Sequence, residues 1–212
     1  EATARLTWLP PERLDQKTGS VGIPLDGVEL AVRREDGGAA ATDEPGEVWV
    51  RGPNVMQGYW QNPQATAEVL RDGWLRTGDV GRLDADGYLW LSGRRSDMIK
   101  TGAHRVHPQD IEEAISELPA VAEVAVVGVA DPVKGQVPVA FAVVKDPSRV
   151  ATPEGTKAMR REVMDTVDRE LGAIARPGQV HFVALLPKTR SGKLLRRSIQ
   201  ALAEGRDPGD LT

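Results

Sequence analysis

The sequence predicts an α+β protein in two parts: a β-rich first part forming a small antiparallel sheet or barrel, then a compact domain in which strands and helices alternate. Three observations carry this expectation. Residues 1–93 are rich in glycine and proline and hold short alternating or β-branched runs, "GVELAVRR", "GEVWVRG" and "GYLWLSG", separated by turn signals. From "GRRSDMIKTGAHRV" onward the apolar residues switch to helical spacing interrupted by longer apolar strands. The two patterns meet at "GRRSD", which puts a boundary at residues 94–97.

In chain order, the first part is interrupted by one helix at "NPQATAEVLRDG", where Asn62 can cap, Pro63 suits the first turn and Gly73 ends it. In the second part "HPQDIEEAISEL" places Ile111, Ala114, Ile115 and Leu118 at helical spacing with acids between them, a surface helix over a core. Strands "VAEVAVVGV" and "VPVAFAVVK" follow, then an amphipathic helix through "GTKAMRREVMDTVDRELGAI", the strand "VHFVALL", and a last helix after Lys193. The order is βαββαβα, without repeats or low-complexity segments.

Composition excludes several functions. With 212 residues and 40% hydrophobic content the chain can build one large or two small cores. A net charge of -4 gives no field to hold nucleic acid or an acidic membrane. The absence of cysteine removes disulfides and thiolate chemistry and fits a reducing compartment, and no apolar run approaches the roughly 18 residues of a membrane helix, so a cytoplasmic protein with no membrane span is expected. The three histidines lack metal-ligand spacing.

The stretch "PKTRSGK" ends a polar, glycine-loosened loop in Lys193. Gly192 removes a β-carbon beside it, and Thr189, Ser191 and backbone amides offer donors to phosphate or carboxylate oxygens. Lys193 is either an exposed turn lysine or a point charge placed where negative charge accumulates during phosphoryl or nucleotidyl transfer. Likewise Asp79, Asp84 and Asp86 are either turn acids or carboxylates able to accept from a ribose diol.

Four segments, "GEVWVRGPNVMQGYW", "LRTGDV", "GRRSDMIKTGAHRVHPQDIEEAI" and "PKTRSGKLLRR", in this order and at these separations, resemble the later core motifs of the adenylate-forming acyl-CoA synthetase superfamily (AMP-dependent synthetases and ligases). The resemblance covers essentially the whole chain but only the last two-fifths or so of such an enzyme; the phosphate loop and most of the acyl pocket belong to an N-terminal part not present in it. It implies residues 1–93 as the C-terminal part of the large AMP-binding domain, 94–97 as a hinge, and 98–212 as a small mobile C-terminal domain. The reaction implied has two steps. A carboxylate attacks the α-phosphate of ATP to give acyl-AMP and pyrophosphate, and the thiol of coenzyme A then displaces AMP.

Residue by residue, Lys193 resembles the lysine that bridges the carboxylate and the α-phosphate in the first step. Asp79 is similar to the aspartate that binds the ribose hydroxyls, Arg94 to the arginine that contacts the nucleotide, and Glu1 to the acid that helps hold Mg2+. Arg95, Ser96 and Asp97 resemble the hinge, with Ser96 at the pivot where relatives often carry Asp or Lys. After the hinge swings, Lys100 matches a position that approaches the adenylate, Gly102, Ala103 and His104 line the thiol tunnel, and Arg105 contacts phosphates. His104 is either a general base or a plain polar strand residue. Ala103 departs from the usual glycine, and its methyl group would narrow the tunnel.

The resemblance also implies alternatives: a parent that loads an acyl or amino-acid group onto a carrier protein, or, outside catalysis, a free-standing regulatory or binding module. Relatives carrying "PKTRSGK" are acylated on this lysine, which implies a lysine acetyltransferase and a deacetylase as partners. The tail "AEGRDPGDLT" looks like those of acetyl- and propionyl-type synthetases, whereas "DMIKTGAHRVHPQDIEE" looks like medium-chain or aryl members.

Overall fold

The computed structural model describes residues 1–209, so the end of the "AEGRDPGDLT" tail lies outside the described residues. The chain divides into two compact units, Glu1–Ser96 and Asp97–Thr212. Each has its own core.

In the first unit a short ribbon pairs β1 (Thr7–Trp8) with β2 (Ile23–Pro24). A five-stranded antiparallel sheet follows, built from β3 (Glu29–Arg33), β4 (Gly46–Arg51), β5 (Leu70–Arg71), β6 (Trp74–Leu83) and β7 (Leu89–Arg94). Its order is β3-β4-β6-β5, with β7 also paired to β6, and the sheet stays open among the described residues. The barrel-like closure expected from the sequence is therefore absent: β5 and β7 share one flank of the long β6, and β3 remains an edge. Strand alternation sends Leu30, Val32, Val48, Val50 and Leu75 to the apolar face. The intervening residues Arg33, Trp49, Arg51 and Arg76 occupy the other face.

The helix α1 (Pro63–Val69) begins as expected, with Asn62 Oδ1 accepting from the Ala65 amide at 3.0 Å. It ends earlier than expected. Asp72 and Gly73, both at positive φ, form a two-residue turn that pairs Leu70 and Arg71 with Leu75 and Trp74. Asp-Gly at such a turn favours a hairpin, so Gly73 turns a hairpin and does not stop a helix.

The second unit opens with the hairpin β8 (Ile99–Thr101) and β9 (His104–Val106), then α2 (Pro108–Ser116), β10 (Val121–Asp131), β11 (Gly135–Val144), α3 (Pro153–Leu171), β12 (Gln179–Phe182) and α4 (Arg196–Ala203). The sheet order is β10-β11-β8-β9, and β12 joins β11 in parallel. Helices cover both faces. Ile111 and Ile115 of α2 and Met159, Val163 and Val167 of α3 pack with Val124 and Val126. Ile199 of α4 packs with Ala125 and Val127 on the other side. Double coverage explains why β10 is a continuous apolar run with no alternation.

Candidate functional site

In the first unit, the hairpin of β6 and β7 sets Asp79 directly opposite Arg94. Arg94 Nε lies 3.0 Å from Asp79 Oδ1, and its Nη1 donates to the Thr77 carbonyl at 2.7 Å. The Thr77 hydroxyl donates to the Val48 carbonyl and accepts from the Asp79 amide, which locks the turn-like stretch "RTGD" on the sheet. Asp79 and Arg94 remain partly exposed, at 31% and 49% of their side chains, so both can reach a ligand. Glu1 is placed because the first residues run beside the 54–56 segment, with Met56 donating to the Glu1 carbonyl and Ala2 bridged to Val55. Its carboxylate accepts from the Tyr59 hydroxyl. Among the described residues no group of three or more acidic, histidine or cysteine side chains gathers to hold a metal. One carboxylate at Glu1 still fits Mg2+, which takes one or two carboxylates and completes its shell with phosphate oxygens and water.

Asp84 and Asp86 take the turn-acid role. Asp84 accepts from Lys17 at 2.8 Å, from Trp90 Nε1 at 3.1 Å and from the Tyr88 and Asp86 amides, while Asp86 accepts from Lys17 at 2.7 Å. Burial pushes the Asp84 carboxyl up, but the hydrogen bonds from Lys17, Trp90 and the two amides outweigh it and hold the group well below the usual carboxylate range.

In the second unit, Lys193 sits in a hairpin whose base is closed by Leu195 N to Pro187 O, and by Thr189 N to Lys193 O. Gly192 N donates to Thr189 O, and Gly192 has φ +83°, the pattern of a three-residue loop that needs a left-handed residue at its end. A β-carbon at Gly192 would meet nothing within 4 Å, so glycine is required here for its φ and not for clearance. The Thr189 hydroxyl serves the loop itself, meeting Ser191 Oγ at 3.0 Å and accepting from the Lys193 amide. The Lys193 ammonium is exposed and makes no hydrogen bond or ion pair among the described residues.

Both flanks of this loop are anchored. Lys188 pairs with Glu123 of β10 at 2.6 Å. Arg196 forks onto Glu112 of α2, at 2.5 and 2.6 Å, and donates to the Val126 carbonyl at 3.1 Å. Glu112 also accepts from the Val126 amide, and Asp97 lies 3.7 Å from Arg196 Nε. Lys188, Glu112 and Arg196 were not singled out by sequence reasoning. Two of them lie within "PKTRSGKLLRR", but their partners are 65 and 84 residues away and leave no local signal.

Lys100 projects from β8, exposed, opposite Arg105 of β9. Gly102 and Ala103 form the two-residue turn between Thr101 and His104. Gly102 carries φ +59° while Ala103 is not at positive φ, as a hairpin with glycine first requires. Ala103 therefore sits without strain at an exposed tip beside the exposed His104. This hairpin is fastened at the β10–β11 turn: Thr101 pairs with Gly135, Gly102 N donates to Lys134 O, and Gln136 accepts from Lys100 N. The Lys193 loop is fastened elsewhere, at Glu123 and Val126, which pair with Val143 and Ala140. From Gly135 that is five to eight residues of β11, about 17 to 27 Å at the rise of an antiparallel strand. The sheet thus holds these two sets of anchors apart.

The AMP-binding enzyme family matches residues 1–60, and its AMP-binding enzyme C-terminal domain matches residues 110–193. The 2-succinylbenzoate-CoA ligase of Geobacillus kaustophilus is 41% identical over 95% of this chain and 39% of its own length. The propionate-CoA ligase of Salmonella typhimurium is 41% identical over 100% of this chain and 34% of its own length. Among solved structures, the o-succinylbenzoate-CoA synthetase of Bacillus subtilis in complex with its acyl-adenylate intermediate is 34% identical, with a TM-score of 0.82 over 93% of this chain and 38% of that one. An amide bond synthetase from Marinactinospora thermotolerans is 39% identical, with a TM-score of 0.78 over 88% of this chain and 36% of that one. The chain thus spans between a third and two-fifths of the length of these relatives.

Proposed function

Since the chain belongs to the adenylate-forming acyl-CoA synthetase superfamily and corresponds to its C-terminal portion, we propose that it serves an ATP-dependent, AMP-forming carboxylate-CoA ligase in both half-reactions. The observation that carries this reading is that the Lys193 loop and the Lys100 hairpin are fastened to different stretches of one sheet. A rigid body that presents its two cations from differently fastened segments can bring each to one adenylate by turning between steps.

In the first step the substrate carboxylate attacks the α-phosphorus of ATP, a P–O bond to pyrophosphate breaks, and Lys193 is the ammonium that meets the charge building on the oxygens. Asp79 accepts from the ribose hydroxyls and Arg94 contacts the nucleotide. A carboxylate has about four lone-pair sites and a guanidinium five N–H donors, so both side chains keep hydrogen-bonding capacity beyond their mutual pair. Glu1 would hold Mg2+, which when bound neutralises phosphate charge.

The hinge reading is supported by how the residues flanking Ser96 are tied. Arg95 donates to Glu47 in the first unit at 3.1 Å, and Asp97 lies beside Arg196 in the second. Hinge positions absorb large backbone changes and demand no particular side chain, which suits Ser96. In the second step the thiol sulfur of coenzyme A attacks the acyl carbonyl and AMP leaves, with Lys100 toward the adenylate, Gly102, Ala103 and His104 along the thiol path, and Arg105 on phosphates.

An amine acceptor in place of coenzyme A is the second reading, favoured by the likeness to an amide bond synthetase. Modification of Lys193 by an acetyltransferase, reversed by a deacetylase, would remove the charge that step one uses; peptide mass analysis after incubation with such an enzyme tests it. No described helix is long and apolar enough to cross a membrane, and we place the enzyme in the cytoplasm.

The test is a panel of carboxylic acids offered to the full-length protein carrying this region, scoring acyl-AMP and thioester separately. Acid-dependent pyrophosphate release followed by thioester is expected. No acid-dependent release with any member contradicts the reading.

A further inference from the structure

The polar face of the first unit's sheet carries a ladder of arginines and tryptophans that the synthetase reaction leaves unused. Arg33 lies over the rings of both Trp49 and Trp74, at 4.5 and 5.5 Å from their centroids. Arg76 lies 5.5 Å over Trp49, and Arg51 lies 4.7 Å over Trp74. Stacking on an indole fixes the plane of a guanidinium and leaves its N–H edge for a ligand. These side chains line a cavity of about 600 Å³, within the size range of small-molecule sites.

Six arginines line it against the four carboxylates of Glu35, Asp36, Glu47 and Asp72, a small excess of cations. Arg51 is matched by Glu29, and Arg76 and Arg95 share the single carboxylate of Glu47. Arg33 and Arg71 have no carboxylate partner among the described residues. Two buried N–H groups also lack an acceptor: the indole Nε1 of Trp49, a residue only 9% exposed, and Nε of Arg76. Buried donors of this kind are rare because each costs its desolvation, and the imbalance is resolved by one acceptor-rich group.

From this convergence we propose that the cavity over Trp49 is a binding site for the phosphoryl group of a small molecule. A phosphoryl group presents three oxygens to donors arriving from different directions, whereas a planar carboxylate presents two. Arg33 turns its edge from the indole toward the ligand, Arg71 adds charge at the mouth, and entry of the ligand opens the buried N–H groups of Arg76 and Trp49 to its oxygens.

Titration of the 212-residue chain with inorganic pyrophosphate in magnesium-free buffer, followed by calorimetry and tryptophan fluorescence, tests the site without any turnover and so independently of the synthetase reading. Saturable binding is expected, with malonate as the carboxylate control binding about tenfold more weakly. Arg33→Ala should weaken pyrophosphate by about tenfold or more, the loss of one charged hydrogen-bonding partner. Two gentler changes keep the test valid if that variant unfolds: Arg33→Lys, which keeps the charge but not the fork, and Trp49→Phe, which keeps a ring but not the N–H; both should weaken binding severalfold. Absence of saturable binding, affinity unchanged in the Arg33 and Trp49 variants, or malonate binding as tightly as pyrophosphate would each overturn the proposal.

Discussion

Arg196 shows how one side chain fixes another that it does not touch. Its guanidinium is held by the Glu112 carboxylate and the Val126 carbonyl, with side-chain exposures of 20% for Arg196 and 13% for Glu112. Charged hydrogen bonds in a fork are directional, so the first turn of α4, and with it the C-terminal end of the Lys193 loop, has little freedom. Removing the arginine would leave Glu112 largely buried without its cation. Arg196→Ala should therefore cost about 3 kcal/mol or more of unfolding free energy, measured by urea denaturation of this chain. A loss within the few tenths of a kcal/mol typical of exposed pairs would show that the contact does not hold the loop.

At the scale of elements, the β6–β7 hairpin is braced to the loop after β1 through Lys17 and Asp84. The folded-state pKa of Asp84 is depressed below its unfolded value of about 3.9, so its stabilisation is fully present above that pH and is lost as the pH falls toward the folded value. Asp84→Asn should lower the melting temperature at neutral pH and flatten its decline below pH about 4. A variant whose acid limb is as steep as the parent's would assign the effect to other carboxylates.

The elements were legible in the sequence where their signal is local. Ile111, Ala114 and Ile115 lie buried on one face of α2, Leu118 is buried just beyond its end, and Asn62 caps as read. The end of α1 was missed because Asp72-Gly73 commits the chain to a hairpin within two residues of the helical pattern. Strands β8 and β9 have three residues each, too few to show a period, and the parallel partner of β12 is a long-range choice. At the site, motif order pointed to Asp79 and Arg94, which the structure pairs. The anchors Glu123 and Glu112 were invisible because an ion pair between distant residues has no spacing to read.

For the whole molecule, the chain divides between Ser96 and Asp97 into two units with separate cores, and the second carries its two candidate lysines on segments fastened to different stretches of one covered sheet. Such a body suits a reaction whose steps need different cations at one place. Losing the Lys193 ammonium should remove about 3 to 4 kcal/mol of transition-state stabilisation, or 10²- to 10³-fold in rate, from adenylate formation alone. The most direct measurement is therefore the rate of each half-reaction, ATP to acyl-AMP and preformed acyl-AMP to thioester, for Lys193→Ala and Lys100→Ala in the full-length protein. Opposite patterns are expected, with Lys193→Ala impairing only the first step and Lys100→Ala mainly the second. Equal losses in both steps for both variants, or an unimpaired first step in Lys193→Ala, would contradict it.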